Sequence, residues 1–237
     1  MLSPALWAPA ALYPLLVVGA VRRGLPPPTA GARLAYNLAL SAFSAAMCVL
    51  ACKTLVREGR VGAACAEPRA PMPWYEAAWL ASKYVEWADT LLLVAARKPL
   101  TRLHLLHHWS TVPVVQLQLM RPGGVRSPLF DAGVALNAFA HAWMYLYYAH
   151  PRACRPLRRA ITSVQLAQHL IMLALVARSL AVRGCGRDPS GNLAVLGAYA
   201  FNAVEFGALL RRPAPRRVAP AGGDDDARAW GKGSKEV

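Results

Sequence analysis

Seven apolar runs, each close to the length of a bilayer crossing, leave this chain few ways to fold. They are Ala5–Val21, Leu34–Val56, Trp74–Ala96, Leu103–Met120, Pro128–Ala149, Leu157–Val182 and Asn192–Leu210. A helix rises about 1.5 Å per residue and needs about 20 residues to cross a hydrocarbon core about 30 Å thick. The shortest runs barely span it. Between the runs lie Arg22-Arg23 with Pro26-Pro27-Pro28, a Gly-, Ala- and Pro-rich stretch from Gly59 to Pro73, Arg97-Lys98-Pro99, and Arg121-Pro122-Gly123-Gly124. These are turn and link compositions. The expectation is an all-α, polytopic membrane protein with seven transmembrane helices in one domain, 1–210. The tail 211–237, rich in Pro, Gly and charge, is expected to be disordered. A 56% hydrophobic content against 16% charged separates this chain from an ordinary soluble domain.

The net charge of +15 would suggest nucleic acid in a soluble protein. Here the basic residues sit between apolar runs, where they face anionic lipid or an anionic substrate, so no nucleic acid is expected. The first run lacks a basic n-region and a convincing cleavage site, which makes it a membrane helix rather than a secretory signal. Seven spans put the termini on opposite sides. The positive-inside rule leans toward a cytosolic C-terminus and a lumenal Met1, but only through the basic residues of the tail. The five cysteines form no CxxC and no metal-type spacing. Cys48 and Cys52, one helical turn apart, read as packing; Cys65 and Cys185 can pair if both loops are lumenal.

The polar residues inside the runs carry the chemistry. His104, His107 and His108 are spaced to share one helical face. Ionisable groups at membrane depth face a bundle interior or a wet cavity and mark functional sites by default. The bland alternative is three histidines merely hydrogen-bonded in a helix interface. Pro113 is expected to kink this helix, its ring opposing the Trp109 carbonyl. Lys83, Glu86, Asp89 and Thr90 fall at i, i+3, i+6 and i+7, a stripe that reads as a cavity wall, a buried charge network, or both. His141, Tyr145 and Tyr148 share a face, with Asn137 one turn before; tyrosines so near a helix end also suit an interfacial belt. Thr162, Gln165 and Gln168 repeat the pattern, which interhelical hydrogen bonding alone would explain as well. His150, beside Pro151 and Arg152, reads as a loop residue, and His169 lies one residue beyond the glutamine stripe. Four helices thus each aim a polar stripe inward, toward an enclosed polar chamber.

The ordered set Lys83-x-x-Glu86-x-x-Asp89-Thr90, His104-x-x-His107-His108, His141-x-x-Met144-Tyr145-x-Tyr147-Tyr148 and Thr162-x-x-Gln165-x-x-Gln168 resembles the very-long-chain fatty acid elongases of the ELO type. Arg97-Lys98-Pro99-Leu100, leading into the histidines, and Asn137 also look like that family. The likeness covers residues 74–170. It implies a membrane 3-ketoacyl-CoA synthase of the endoplasmic reticulum, an acyltransferase that condenses acyl-CoA with malonyl-CoA to 3-ketoacyl-CoA, CO2 and CoA. It implies no tightly bound cofactor and no metal.

The resemblance puts the nucleophile on His107, which would form an acyl-imidazole in a ping-pong scheme. His104, His108 and His141 would orient it, move protons or stabilise oxyanions, and Asp89 and Glu86 would fix a tautomer. Lys83, Arg97 and Lys98 would meet CoA phosphates at the cytosolic mouth. Asn137, Tyr145, Tyr148, Gln165 and Gln168 complete the substrate-binding set, with an acyl tunnel between the helices. The reductases and dehydratase of the elongation cycle are the implied partners, alongside membrane lipid, and a homodimer stays open. Two other readings compete. Di-iron desaturases and hydroxylases carry similar histidine boxes, but need about eight histidines, and this chain has six. A lipid-binding or transport bundle would use its charges as a pathway, yet the chain lacks an inverted repeat.

Overall fold

A computed structural model describes residues 4–59, 73–119, 128–182 and 189–211. Cys65 and Cys185, whose pairing the sequence leaves open, and the tail 212–237 lie outside those residues. The described residues hold no strand. Their helices are α1 (Pro4–Arg23), α2 (Ala30–Arg57), α3 (Pro73–Val85), α4 (Trp87–Ala95), α5 (Arg102–Leu119), α6 (Pro128–Ala149), α7 (Arg158–Ala181) and α8 (Pro189–Arg211), with a 3₁₀ turn at Arg155–Leu157. The expected third segment is thus two helices, and counting α3 and α4 together gives the expected seven. Among the described residues, three stretches are long and apolar enough to cross a bilayer: Ala30–Arg57, Arg155–Ala181 and Asn192–Arg211.

The break between α3 and α4 was not expected, because no Pro or Gly lies near it. Glu86 keeps helical dihedrals (φ −61°, ψ −18°). The Asp89 N–H bonds the Glu86 carbonyl, three residues back, and so tightens the turn. The Val85 carbonyl accepts the Tyr36 hydroxyl of α2 at 3.1 Å. Within a membrane such a break is tolerated where neighbouring helices take up the backbone groups. The same accounting holds for Pro14 in α1. Its ring removes the N–H that the Ala10 carbonyl would accept, and Trp109 of α5 donates its indole N–H there instead, at 2.8 Å. Helix α5 runs without interruption through Pro113.

Helix α5 is the common member of the packing. The cluster around Met47, Tyr75, Trp79 and Val134 includes its Val115 and Leu119. The cluster around Leu129, Met172, Val176 and Val195 includes its Val114. The cluster around Tyr13 and Trp87 includes its Val112 and Leu105. Consecutive residues of α5 therefore meet different neighbours, while Leu106 and Trp109 leave part of the helix exposed.

The molecule is inverted relative to a soluble protein. Lys83, Glu86, Asp131, His141, His169 and Asn202 are buried, while Leu15, Val18, Val49, Ile171 and Val204 are exposed. Lipid tails are as apolar as these side chains, so burying more of them supplies no driving force. Packing and interhelical hydrogen bonds, about 0.6 kcal/mol each on average, hold such helices together. Close approach helps: a Cβ at Gly133 of α6 would stand 3.2 Å from the Tyr199 hydroxyl of α8.

Candidate active site

The site is built outward from the N-terminus of α5. Thr101 caps that helix, its hydroxyl accepting the His104 N–H at 3.2 Å. The cap fixes where helical periodicity starts and hence which way the three histidines point. The rings of His104 and His108 lie 4.3 Å apart by centroid, and those of His107 and His108 5.5 Å apart. His141 of α6 faces them, 6.4 Å from His107. These four imidazoles line one cavity of about 150 Å3, together with Asp89, Lys98, Met144, Tyr147, Tyr148, Gln165, Gln168, His169 and Phe206.

Each ring has its own restraint. His104 Nε2 lies 2.8 Å from the Thr90 hydroxyl, which lies 2.9 Å from the Tyr13 hydroxyl of α1. His108 is positioned through its backbone, whose carbonyl accepts the Trp87 indole N–H at 3.1 Å. His107 Nδ1 lies 3.3 Å from Asn202 Oδ1 of α8. His107 Nε2 carries no hydrogen bond among the described residues. His141 Nδ1 stands 3.5 Å from Glu86 Oε1, beyond good hydrogen-bond length. Tyr145 donates to Asp89 Oδ2 at 2.6 Å, joining α6 to α4.

Lys83 is placed differently from the expectation. Its ammonium donates to Glu86 Oε1 at 2.6 Å and to Asn137 Oδ1 at 3.0 Å, and sits 3.8 Å from the centroid of the Trp79 ring. It is fully buried and does not line the cavity. Its position behind the cavity wall, with every donor direction engaged, does not fit a contact with phosphate at the mouth. Glu86, Asn137 and Tyr145 likewise stand behind the cavity lining. The charge-network reading of the stripe describes these residues, while Asp89 alone of the three acids and bases in it reaches the cavity.

At the other end, α4 closes with a Schellman arrangement. Arg97 N–H bonds Val94 C=O at 2.9 Å and Lys98 N–H bonds Leu93 C=O at 2.9 Å. The residue that must turn left-handed there is usually glycine, and here it is Arg97 (φ 52°). A side chain in that conformation costs about 1–2 kcal/mol. The turn sends the exposed Arg97 outward and brings Lys98 to the cavity. Burial, and then the charge of Arg33, lowers the Lys98 ammonium to about 8.

Gln165 donates to Met144 Sδ at 3.4 Å, while Gln165 Oε1 and Gln168 Oε1 are buried with no partner among the described residues. Two orphaned acceptors in one cavity wall are what a ligand with N–H groups would satisfy. Thr162 turns away and donates to the Arg158 carbonyl of its own helix. His150 is exposed at the end of α6. Among the described residues, no three His, Cys, Asp or Glu side chains converge as metal ligands.

From its place beside the glutamine stripe His169 reads as a cap on the chamber, while Asn202 was missed. His169 is buried, bonds the Gln165 carbonyl through Nδ1 at 2.5 Å and stacks on Phe206. Asn202 lies in the last helix, to which no role was given. A lone Asn in an apolar run offers no pattern to read, although the i, i+3, i+7 spacing of Tyr199, Asn202 and Phe206 was available.

The sequence model described as "ELO: GNS1/SUR4 family" matches residues 11–211. The chain belongs to the ELO family. Among similar proteins are fatty acid elongase sre1 of Dictyostelium discoideum, 34% identical over 104 residues, 43% of this chain and 38% of that protein. Long chain fatty acid elongase 1 of Caenorhabditis elegans is 36% identical over 104 residues, 42% of this chain and 34% of that protein. Putative fatty acid elongase 2 of Schizosaccharomyces pombe is 29% identical over 150 residues, 60% of this chain and 40% of that protein. The chain spans between 34% and 40% of the length of these ELO-family relatives. The ELO match reaches from α1 to the end of α8, so it takes in the helices on either side of the motif-bearing stretch.

Proposed function

We propose that this chain is a fatty acid elongase: a 3-ketoacyl-CoA synthase that condenses a long-chain acyl-CoA with malonyl-CoA. The observation that carries the reading is His107, whose Nδ1 is engaged by Asn202 while its Nε2 has no partner among the described residues and its ring lines a cavity walled by four further imidazoles. Membership of the ELO family and similarity to fatty acid elongases support elongation in general.

In the first step the lone pair of His107 Nε2 attacks the thioester carbonyl. The C–S bond breaks, CoA leaves with its electron pair, and an acyl-imidazole remains. In the second step the malonyl C–C bond breaks. CO2 leaves, and the electron pair stays as the enolate of the CoA thioester. The enolate carbon attacks the acyl carbon, the C–N bond breaks, and Nε2 regains its lone pair. One proton, taken up by the released CoA thiolate, balances the whole. His141 and His108 flank the reacting carbonyl as donors or proton carriers. The orphaned glutamine oxygens suit the amide N–H groups of the pantetheine arm. Lys98 and Arg97 suit the CoA phosphates. The acyl tail occupies apolar space between helices. The chain would lie in the endoplasmic reticulum membrane with Met1 lumenal and the C-terminus cytosolic, working with the reductases and dehydratase of the cycle. No tightly bound cofactor is needed for these steps.

Expression in a host of defined fatty-acid profile tests the reading. Products two carbons longer are expected from the wild type and none from His107→Gln. An unchanged profile with a folded protein would refute it.

A further inference from the structure

We infer that Asn202 of α8 is a positioning residue for the nucleophile: it fixes the tautomer of His107 and so presents the Nε2 lone pair to the cavity. The inference rests on the condensation reading above and extends the site to a helix that carries none of the motif residues.

The argument begins with the amide. Asn202 Nδ2 donates to the Ala198 carbonyl at 2.9 Å, one turn back in its own helix. That bond sets the rotation of the side chain and turns Oδ1 toward α5, where it meets His107 Nδ1 at 3.3 Å. An amide oxygen only accepts, so the hydrogen of the neutral ring resides on Nδ1. Nε2 is then the unprotonated nitrogen, and only an unprotonated nitrogen attacks a thioester. The opposite tautomer would place N–H against the substrate and leave a lone pair facing Oδ1. The bond gains a second use as the reaction proceeds. Acylation at Nε2 puts positive charge on the ring, and the Nδ1–H···O bond strengthens toward a charge-assisted one. Hydrogen bonds of this kind are often long before substrate binds and tighten afterward.

The next turn of α8 makes two further contacts, the first of them a solvent-exposed ion pair worth little by itself. Glu205, one turn beyond Asn202, pairs with Arg102 of α5 near the start of the same helix as His107. Phe206 stacks on His169 of α7 at 5.2 Å. Both contacts lie one turn beyond Asn202, one reaching α5 and the other α7.

The test compares wild type, Asn202→Leu, Asn202→Asp and Glu205→Gln as full-length protein in detergent. Each is given acyl-CoA alone and then both substrates. Three quantities are read: the rate of acyl-adduct formation on His107 by mass spectrometry, kcat and KM for elongation, and the thermal midpoint. Leu keeps the shape of Asn and removes the acceptor; the expected result is a loss on the order of 10²-fold in adduct formation and kcat, with KM within about threefold. Asp keeps an acceptor oxygen and should recover most of that loss, although a buried acid should lower the midpoint more than Leu does. Glu205→Gln should stay within about twofold. A merely structural Asn202 gives the reverse order, with Asp worse than Leu and activity following the midpoint. That order, or a folded Asn202→Leu that acylates at the wild-type rate, overturns the inference. If the Leu variant does not fold, Asn202→Ala is read by the same criterion. Absence of any adduct in wild type would instead count against the two-step scheme, and the kcat comparison would still decide the role of Asn202.

Discussion

Replacing Lys83 with Met separates a buried network from a substrate contact. The side chain keeps its length and loses its charge. Glu86 then retains only His141, at 3.5 Å, inside a helix bundle. Asn137 Oδ1 loses its donor as well. A lost polar pair in a membrane averages about 0.6 kcal/mol. An ion left without its partner is a larger matter, because removing one member of a buried pair costs about 3–5 kcal/mol. The ionic term wins. At about 2–4 °C per kcal/mol for a chain of this size, the thermal midpoint should fall on the order of 10 °C. The double variant Lys83→Met/Glu86→Leu removes both charges, and replacing a whole buried pair is often neutral for stability. It should recover most of the midpoint while remaining impaired in elongation, since His141 has lost the carboxylate beside it. Thermal unfolding in detergent and elongation per folded protein measure the two effects separately. If Lys83→Met melted like wild type and raised KM for CoA thioesters, the ammonium would be binding phosphate, and the network reasoning would be wrong.

The histidines should rank. His141→Gln should lower kcat by about 10²–10⁴-fold, the usual size of one acid–base contribution, whereas His150→Gln, exposed at the end of α6, should stay near wild type in the same elongation assay. Lys98 should confer a pH dependence on substrate binding. Its ammonium titrates at about 8 rather than 10.5, so KM for CoA thioesters should rise above pH 8, and Lys98→Arg, charged throughout, should flatten that rise. The stability effect has the opposite sign: between about 8 and 10.5 the unfolded chain binds the proton that the folded one has lost, so this group's contribution to stability increases with pH. At Gly133 an added methyl meets the Tyr199 hydroxyl at 3.2 Å. Gly133→Ala should therefore cost little, while Gly133→Leu should force α6 from α8 and lower the yield of folded protein, measured by size-exclusion chromatography.

Helix positions were readable because membrane-length runs and helical spacing are local properties. The polar stripes were readable for the same reason: His104, His107 and His108 lie on one face whatever packs against them. Partners were not readable. The stripe containing Lys83 looked continuous, but the tightened turn at Glu86 sends Lys83 behind the wall and Asp89 to the cavity. That turn depends on Tyr36, Asn137 and His141, all distant in sequence. Asn202 was passed over because a single polar residue in an apolar helix has no period. Its role depends on the register between two helices, which tertiary packing alone determines. Arg97 showed the reverse limit: the basic residue was noticed, but its left-handed backbone was not, since nothing in the letters before it demands glycine's freedom.

The bond from Thr90 to Tyr13 spans 77 residues, and the one from His107 to Asn202 spans 95. A ribosome adds about 5–20 residues per second. The first helix therefore waits roughly 4–15 s before its hydroxyl has anything to meet, and His107 waits about as long again for the Asn202 amide. During that interval the nascent chain holds several ionisable side chains in lipid without their final partners. Polar groups in that position recruit help, from water, from the insertion machinery or from one another. The half-made protein is thus most exposed to quality control between the emergence of the histidines and the arrival of the last helix. Translation speed over the stretch separating them becomes a determinant of yield, independent of how stable the finished bundle is.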